Sequence, residues 1–131
     1  MDQNSLVTEQ IEAGARFVDR FDKVIPVAVA FWLKENDVWR SYLYIAAEKF
    51  NDSGTRNGYG EVGRIANEMN DPNFDSLRVK LIGANDRLAE ELIQLRHRMP
   101  GDKPLKYTDT YIGGRGIEWI YVYPLPATVS A

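Results

Sequence analysis

The sequence predicts an α+β fold, a mixed sheet of about five strands with helices packed mainly on one face, in the order α-ββ-α-β-α-ββ. Segments with apolar residues at helical spacing alternate with runs rich in β-branched and aromatic residues, and clusters of Gly, Pro, Asn and Asp separate them. A length of 131 residues, 44% of them hydrophobic, suits one compact domain with a real core and is too short for two. The expected domain therefore spans residues 1–131.

Asn4 or Ser5 can cap a first helix in which Val7, Ile11, Val18 and Phe21 recur at helical spacing and Phe17 widens the stripe. This helix should reach about Asp22. Pro26 separates it from "VAVAFWLK", and the polar "END" separates that run from "VWRSYLYIA"; together they predict a hairpin. A loop at Glu35 to Asp37 sets Ala28 opposite Tyr44, Ala30 opposite Tyr42 and Trp32 opposite Arg40, small or charged against large. The polar "EKFNDSGTRNG" reads as a long loop before a helix that buries Val62, Ile65 and Met69, and "NDPNFD" ends that helix. "LRVKLIG" predicts a short strand. "ANDRLAEELIQLRHRM" predicts a helix capped by Asn85 or Asp86, with Leu88, Leu92, Leu95 and Met99 on one face and Pro100-Gly101 as its stop. The last strands, "LKYTDTYI" and "IEWIYVY", are joined by "GGRG" and closed by Pro124 and Pro126.

Composition excludes several kinds of chemistry. There is no cysteine, so disulfides, thiolate metal sites and thiol nucleophiles are ruled out. His97, the single histidine, lies between Arg96 and Arg98 in a last helical turn, where positive charge complements the macrodipole. Serine–histidine and multi-histidine constellations thus lack their parts. No metal and no cofactor are expected. A net charge of −3 gives no electrostatic reason to expect nucleic acid. "MDQNSLVTEQIEAG" lacks the basic start and apolar run of a secretory signal, and Val24 to Leu33 is about half the roughly 20 residues of a membrane-spanning helix. The expectation is a soluble cytoplasmic protein without membrane contact.

Gly58 to Gly63, "GYGEVG", has the spacing of a phosphate loop but not its setting. A dinucleotide loop follows directly on a parallel strand, whereas here the preceding strand ends near Ala46 and the glycines open a helix. Gly58 is expected to serve the turn, and Gly60 and Gly63 to allow close packing or weaken the helix. The Asn51 to Gly60 loop lacks the ligand spacing of a calcium loop. Asp109 and Glu118, on the last two strands, are the one carboxylate pair that can approach each other, which makes a carboxylate enzyme one alternative.

The informative feature is a division between sheet faces. In the first hairpin Val27, Val29, Phe31 and Leu33 are expected to share an aliphatic face with Leu43 and Ile45. The opposite face would carry Trp32, Arg40, Tyr42 and Tyr44, joined at the other end of the chain by Trp119, Tyr121 and Tyr123, with Arg78 and Lys80 on the middle strand. Such residues are enriched at protein interfaces. The leading expectation is a non-enzymatic binding or assembly protein that forms a homodimer through this face. A small-molecule ligand framed by Trp32 and Arg40 is the alternative.

Overall fold

The computed structural model describes residues 6–124. It contains α1 (Thr8–Val24), β1 (Val29–Glu35), β2 (Tyr42–Ala47), α2 (Arg56–Met69), β3 (Val79–Gly83), α3 (Arg87–Arg98), β4 (Leu105–Ile112) and β5 (Arg115–Val122), with single 3-10 turns at Glu48–Phe50 and Ser76–Arg78. This is the predicted α+β order. The five strands lie in the order β3-β2-β1-β5-β4, with β2 and β3 parallel and the other neighbours antiparallel, so the sheet is mixed. The caps expected at Asn4 or Ser5, and Pro126, lie outside the described residues. The first turn of α1 is instead closed by Gln10, whose side chain accepts from the Val7 N–H at 3.1 Å.

Strand alternation divides the core. Phe17, Val18 and Phe21 of α1 and Val62 and Ile65 of α2 pack over Ala30, Trp32, Leu43, Ile45, Leu81 and Tyr123. On the other face, Leu88, Ala89 and Leu92 of α3 cover Val29, Phe31, Leu33, Ile117, Ile120 and Val122. Two of the three helices therefore share one face and α3 stands alone on the other. Asp86 caps α3 as expected, accepting from the N–H groups of Leu88 at 2.9 Å and Ala89 at 3.3 Å.

The β1–β2 register corrects the sequence expectation. Ala30 pairs with Ile45, Phe31 with Tyr44, Trp32 with Leu43 and Leu33 with Tyr42, an odd slip that moves every β2 side chain to the opposite face. The cause is β1's second neighbour. The end of β1 is committed to β5 through the Glu35–Ile117 pair and the Asn36 N–H to Gly116 carbonyl bond at 3.1 Å. The connection therefore runs from Asn36 to Ser41, with Asp37 at φ 66°, and residues 38–41 belong to it rather than to a strand. Leu43 and Ile45 join Trp32 under α1 and α2, while Tyr44 joins Phe31 on the α3 face.

The buried face of α3 is also rotated from its expected position. Leu88, Ala89, Leu92 and Arg96 point inward, Leu95 is half-buried and Met99 is exposed. Ala89 is small enough to let the helix approach the sheet on that side, which carries Arg96 inside with it. Its Nη2 donates to the Gly101 carbonyl at 3.2 Å, closing the helix end. "GGRG" makes the tight hairpin expected: Gly113 and Gly114 adopt φ 59° and 79°, between the paired Ile112 and Arg115.

"GYGEVG" lies wholly within α2, and Gly58 acts otherwise than expected. Gly58 packs against the core: a Cβ there would sit 2.6 Å from the Phe50 ring and 2.7 Å from Leu81 Cδ1. Gly60 and Gly63 face open space. Gly58→Ala should therefore destabilise the fold by about 1–3 kcal/mol through overpacking. By contrast, Gly60→Ala and Gly63→Ala should each stabilise it by roughly 0.5–1 kcal/mol through helix propensity. Urea unfolding of the three variants checks the opposite signs.

Candidate anion-binding site

The parallel pairing of β2 with β3 sets their starting ends side by side, with Leu43 opposite Val79. The segments leading into both strands consequently meet at one end of the sheet. Trp39 and Arg40 arrive from the β1–β2 connection, and Asp75 and Arg78 from the 3-10 turn before β3. Asp75 is held by its local role: its Oδ1 accepts from the Leu77 N–H at 2.9 Å and caps that turn. Its Oδ2 lies 3.4 Å from Arg40 Nη2. Farther back, Asp71 pairs with Arg16 of α1, tying the loop to the helix. That bond holds the Asp71 carboxyl below its ordinary range.

Aromatic rings support the cations. The Arg40 guanidinium is 4.9 Å from the Trp39 ring and 5.6 Å from Tyr42, Arg78 is 5.9 Å from Trp32, and Lys80 Nζ is 4.2 Å from Tyr42. Hydrogen bonding is incomplete. The Nε atoms of both Arg40 and Arg78 are buried without an acceptor among the described residues. Burial first, and the Arg40 charge second, hold the Arg78 guanidinium below its ordinary value. Among the described residues, two neighbouring guanidinium groups thus have the Asp75 carboxylate beside them, and that carboxylate is partly engaged by backbone. A cleft of about 260 Å³ opens beside them, lined by Val7, Gln10, Trp32, Pro72, Asn73, Asp75 and Arg78. A larger hollow of about 560 Å³ at the end of α2 is lined by no cation, and its one acid, Asp71, is already paired.

The residues expected on one aromatic face fall into three places. Trp32 and Tyr123 are buried beneath α1: Trp32 Nε1–H donates to Tyr123 Oη at 2.9 Å, and Tyr123 Oη–H donates to the Ile11 carbonyl at 2.7 Å. Gly14 lets α1 approach, because a Cβ there would collide with Tyr123 Oη. Tyr42 and Tyr44 belong to the α3 face, Tyr44 buried and Tyr42 half-buried beside Arg40. Trp119 and Tyr121 remain half-buried in a separate cleft of about 360 Å³ with Leu6, Ile11, Lys106, Tyr107, Thr108 and Ile120. Burial raises all three affected tyrosines, Tyr44, Tyr121 and, most strongly, Tyr123. Sequence reasoning missed Trp39, which is 73% exposed. The available signal was an aromatic residue next to Arg40 in "DVWRS", obscured once that run was assigned to a strand.

Asp109 adopts φ 48° opposite Glu118, between the Thr108–Trp119 and Thr110–Ile117 pairs. Glu118 Oε1 lies 3.2 Å from the Nζ of Lys34, a buried lysine that also donates to the Glu35 carbonyl at 3.0 Å. Among the described residues no three His, Asp or Glu side chains converge as metal ligands, and no helix is long and apolar enough to cross a membrane. His97 is exposed in the last turn of α3. The chain matches no protein-family model, no curated protein and no solved structure.

Proposed function

We propose that the protein is a cytoplasmic binding domain that recognises an anionic group at the Arg40–Arg78 pair. The observation that carries this reading is the arrangement of two adjacent guanidinium groups, each with a buried Nε lacking an acceptor among the described residues, around the carboxylate of Asp75. Like charges at close range oppose folding, and unmet buried donors are costly. An anion beside them supplies the missing counter-charge. Isothermal titration of the full chain with sulfate, phosphate and acetate tests the reading. Saturable binding that weakens as sodium chloride is raised is expected, and heat that never saturates for any of the three would oppose it.

Self-association is the second reading, favoured by the half-buried Trp119 and Tyr121 in an apolar-lined cleft beside α1. A second copy seated there would remove aromatic area from water at roughly 25 cal/mol per Å². Light scattering should then report a homodimer, and Tyr121→Asp should convert it to a folded monomer by placing a charge in the desolvated patch. A wild type that is monomeric at all practical concentrations would remove this reading and leave the anion site untouched.

A further inference from the structure

We infer that the Trp119–Tyr121 cleft takes a small amphipathic carboxylate, with its apolar body held between α1 and the β4–β5 strands and its charge met by Lys106. The start of α1 separates this cleft from the one beside Arg78: Leu6 and Ile11 line the first, Val7 and Gln10 the second. The two sites are independent.

The cleft follows from the seating of α1. Tyr123 Oη–H donates to the Ile11 carbonyl at 2.7 Å while the same oxygen accepts from Trp32 Nε1–H, and Gly14 permits that close approach, so the helix is held over β1 and the end of β5. Among the described residues, β4 contributes nothing to the core beneath α1 and α2. This side of β4 and the adjoining part of β5 therefore stay open, forming one wall of a cleft of about 360 Å³, within the roughly 300–1,000 Å³ of small-molecule sites. Trp119 and Tyr121, two residues apart on β5, line it half-buried, and Leu6 and Ile11 supply the facing apolar surface. An apolar body placed between them leaves water on both sides.

Charge selects the rest of the ligand. The β4–β5 register sets Lys106 beside Tyr121 and Thr108 beside Trp119, both on the exposed side of the cleft. Lys106 is the charged side chain among the lining residues, and no acid lines the cleft with it. Its Nζ lies 5.8 Å from the Tyr121 ring, and among the described residues it has no carboxylate partner. One ammonium at the mouth of an apolar cleft attracts a single negative charge and repels a cation. A carboxylate matches it one for one, and the Thr108 hydroxyl beside it is a further donor.

Isothermal titration of the full chain with 4-phenylbutyrate, octanoate, 4-phenylbutyramide and acetate separates the apolar body from the charge. Both larger carboxylates should saturate and bind at least about tenfold tighter than acetate, from the apolar area they bury. 4-Phenylbutyrate should exceed its neutral amide by about two- to fivefold, the range of an exposed ion pair, and lose that margin as sodium chloride is raised. Lys106→Met, at an exposed position, keeps an unbranched stem and should abolish the margin while the amide binds as before. Thr108→Trp, also at an exposed position, should fill the cleft and remove saturable binding of both larger carboxylates. Equal affinity for the acid and its amide would overturn the role of Lys106, and affinities no better than that of acetate would overturn the apolar body. Binding indifferent to both substitutions would place the ligand elsewhere and overturn the cleft. Failure of both larger carboxylates to bind would overturn the inference outright, and a dimeric wild type would then give the cleft to a second copy. Phosphate binding at the arginine pair stands or falls separately in each case.

Discussion

Trp32→Ala is expected to cost about 3–5 kcal/mol of folding stability, read from the midpoint of urea unfolding. The indole is buried in the centre of the face that α1 and α2 cover, and its N–H begins the relay through Tyr123 Oη to the Ile11 carbonyl. Truncation opens a cavity under α1 and removes a donor from a buried hydroxyl. Tyr123→Phe isolates the second effect: it strips partners from the Trp32 N–H and the Ile11 carbonyl and should cost about 1–3 kcal/mol. The relay also has a pH signature. Burial raises the Tyr123 phenol above its ordinary value near 10, so the folded state retains a proton that the unfolded chain releases. Its contribution to stability is therefore complete below about pH 10 and falls as pH rises from there toward the folded-state value. The wild type should lose stability over that alkaline range more steeply than Tyr123→Phe, and parallel curves for the two proteins would count against the relay.

The double substitution Arg40→Ala and Arg78→Ala should lower affinity for phosphate by a hundredfold or more, from roughly 1.5–3 kcal/mol for each charge-assisted hydrogen bond. Stability should move the other way or not at all. Each guanidinium sits beside a like charge with a donor unmet, so removing both relieves repulsion at the end of the sheet. A surface pair kept only for the fold would show the reverse pattern, with a lower midpoint and no change in anion binding.

The sequence revealed the element order because local chemistry decides it. Asp86 marks the start of α3, paired glycines mark the β4–β5 turn, and helical spacing of Val62 and Ile65 marks α2. It was less informative about faces. The local pattern treats the first hairpin as an isolated pair, whereas the end of β1 is claimed by β5, and the resulting odd slip puts Tyr42 and Tyr44 on the side opposite Trp32. Arg40 and Arg78 were each visible as residues near an aromatic surface. Their adjacency was not, because it arises from the parallel β2–β3 pairing and the Asp75-capped turn, contacts between segments 35 residues apart. Trp39 was hidden by the same register, since a strand through "VWRSYLYIA" leaves no exposed turn for it.

The most direct test is a nitrogen-15 spectrum of the arginine Nε–H groups during titration of the wild type with phosphate. The Arg40 and Arg78 resonances should shift together and saturate, with the Arg64 resonance, on an exposed helical surface and already paired with Glu61 and Glu68, as the unmoved control. Resonances of Arg40 and Arg78 that stay fixed, or that drift without saturation in step with Arg64, would contradict the proposed anion site.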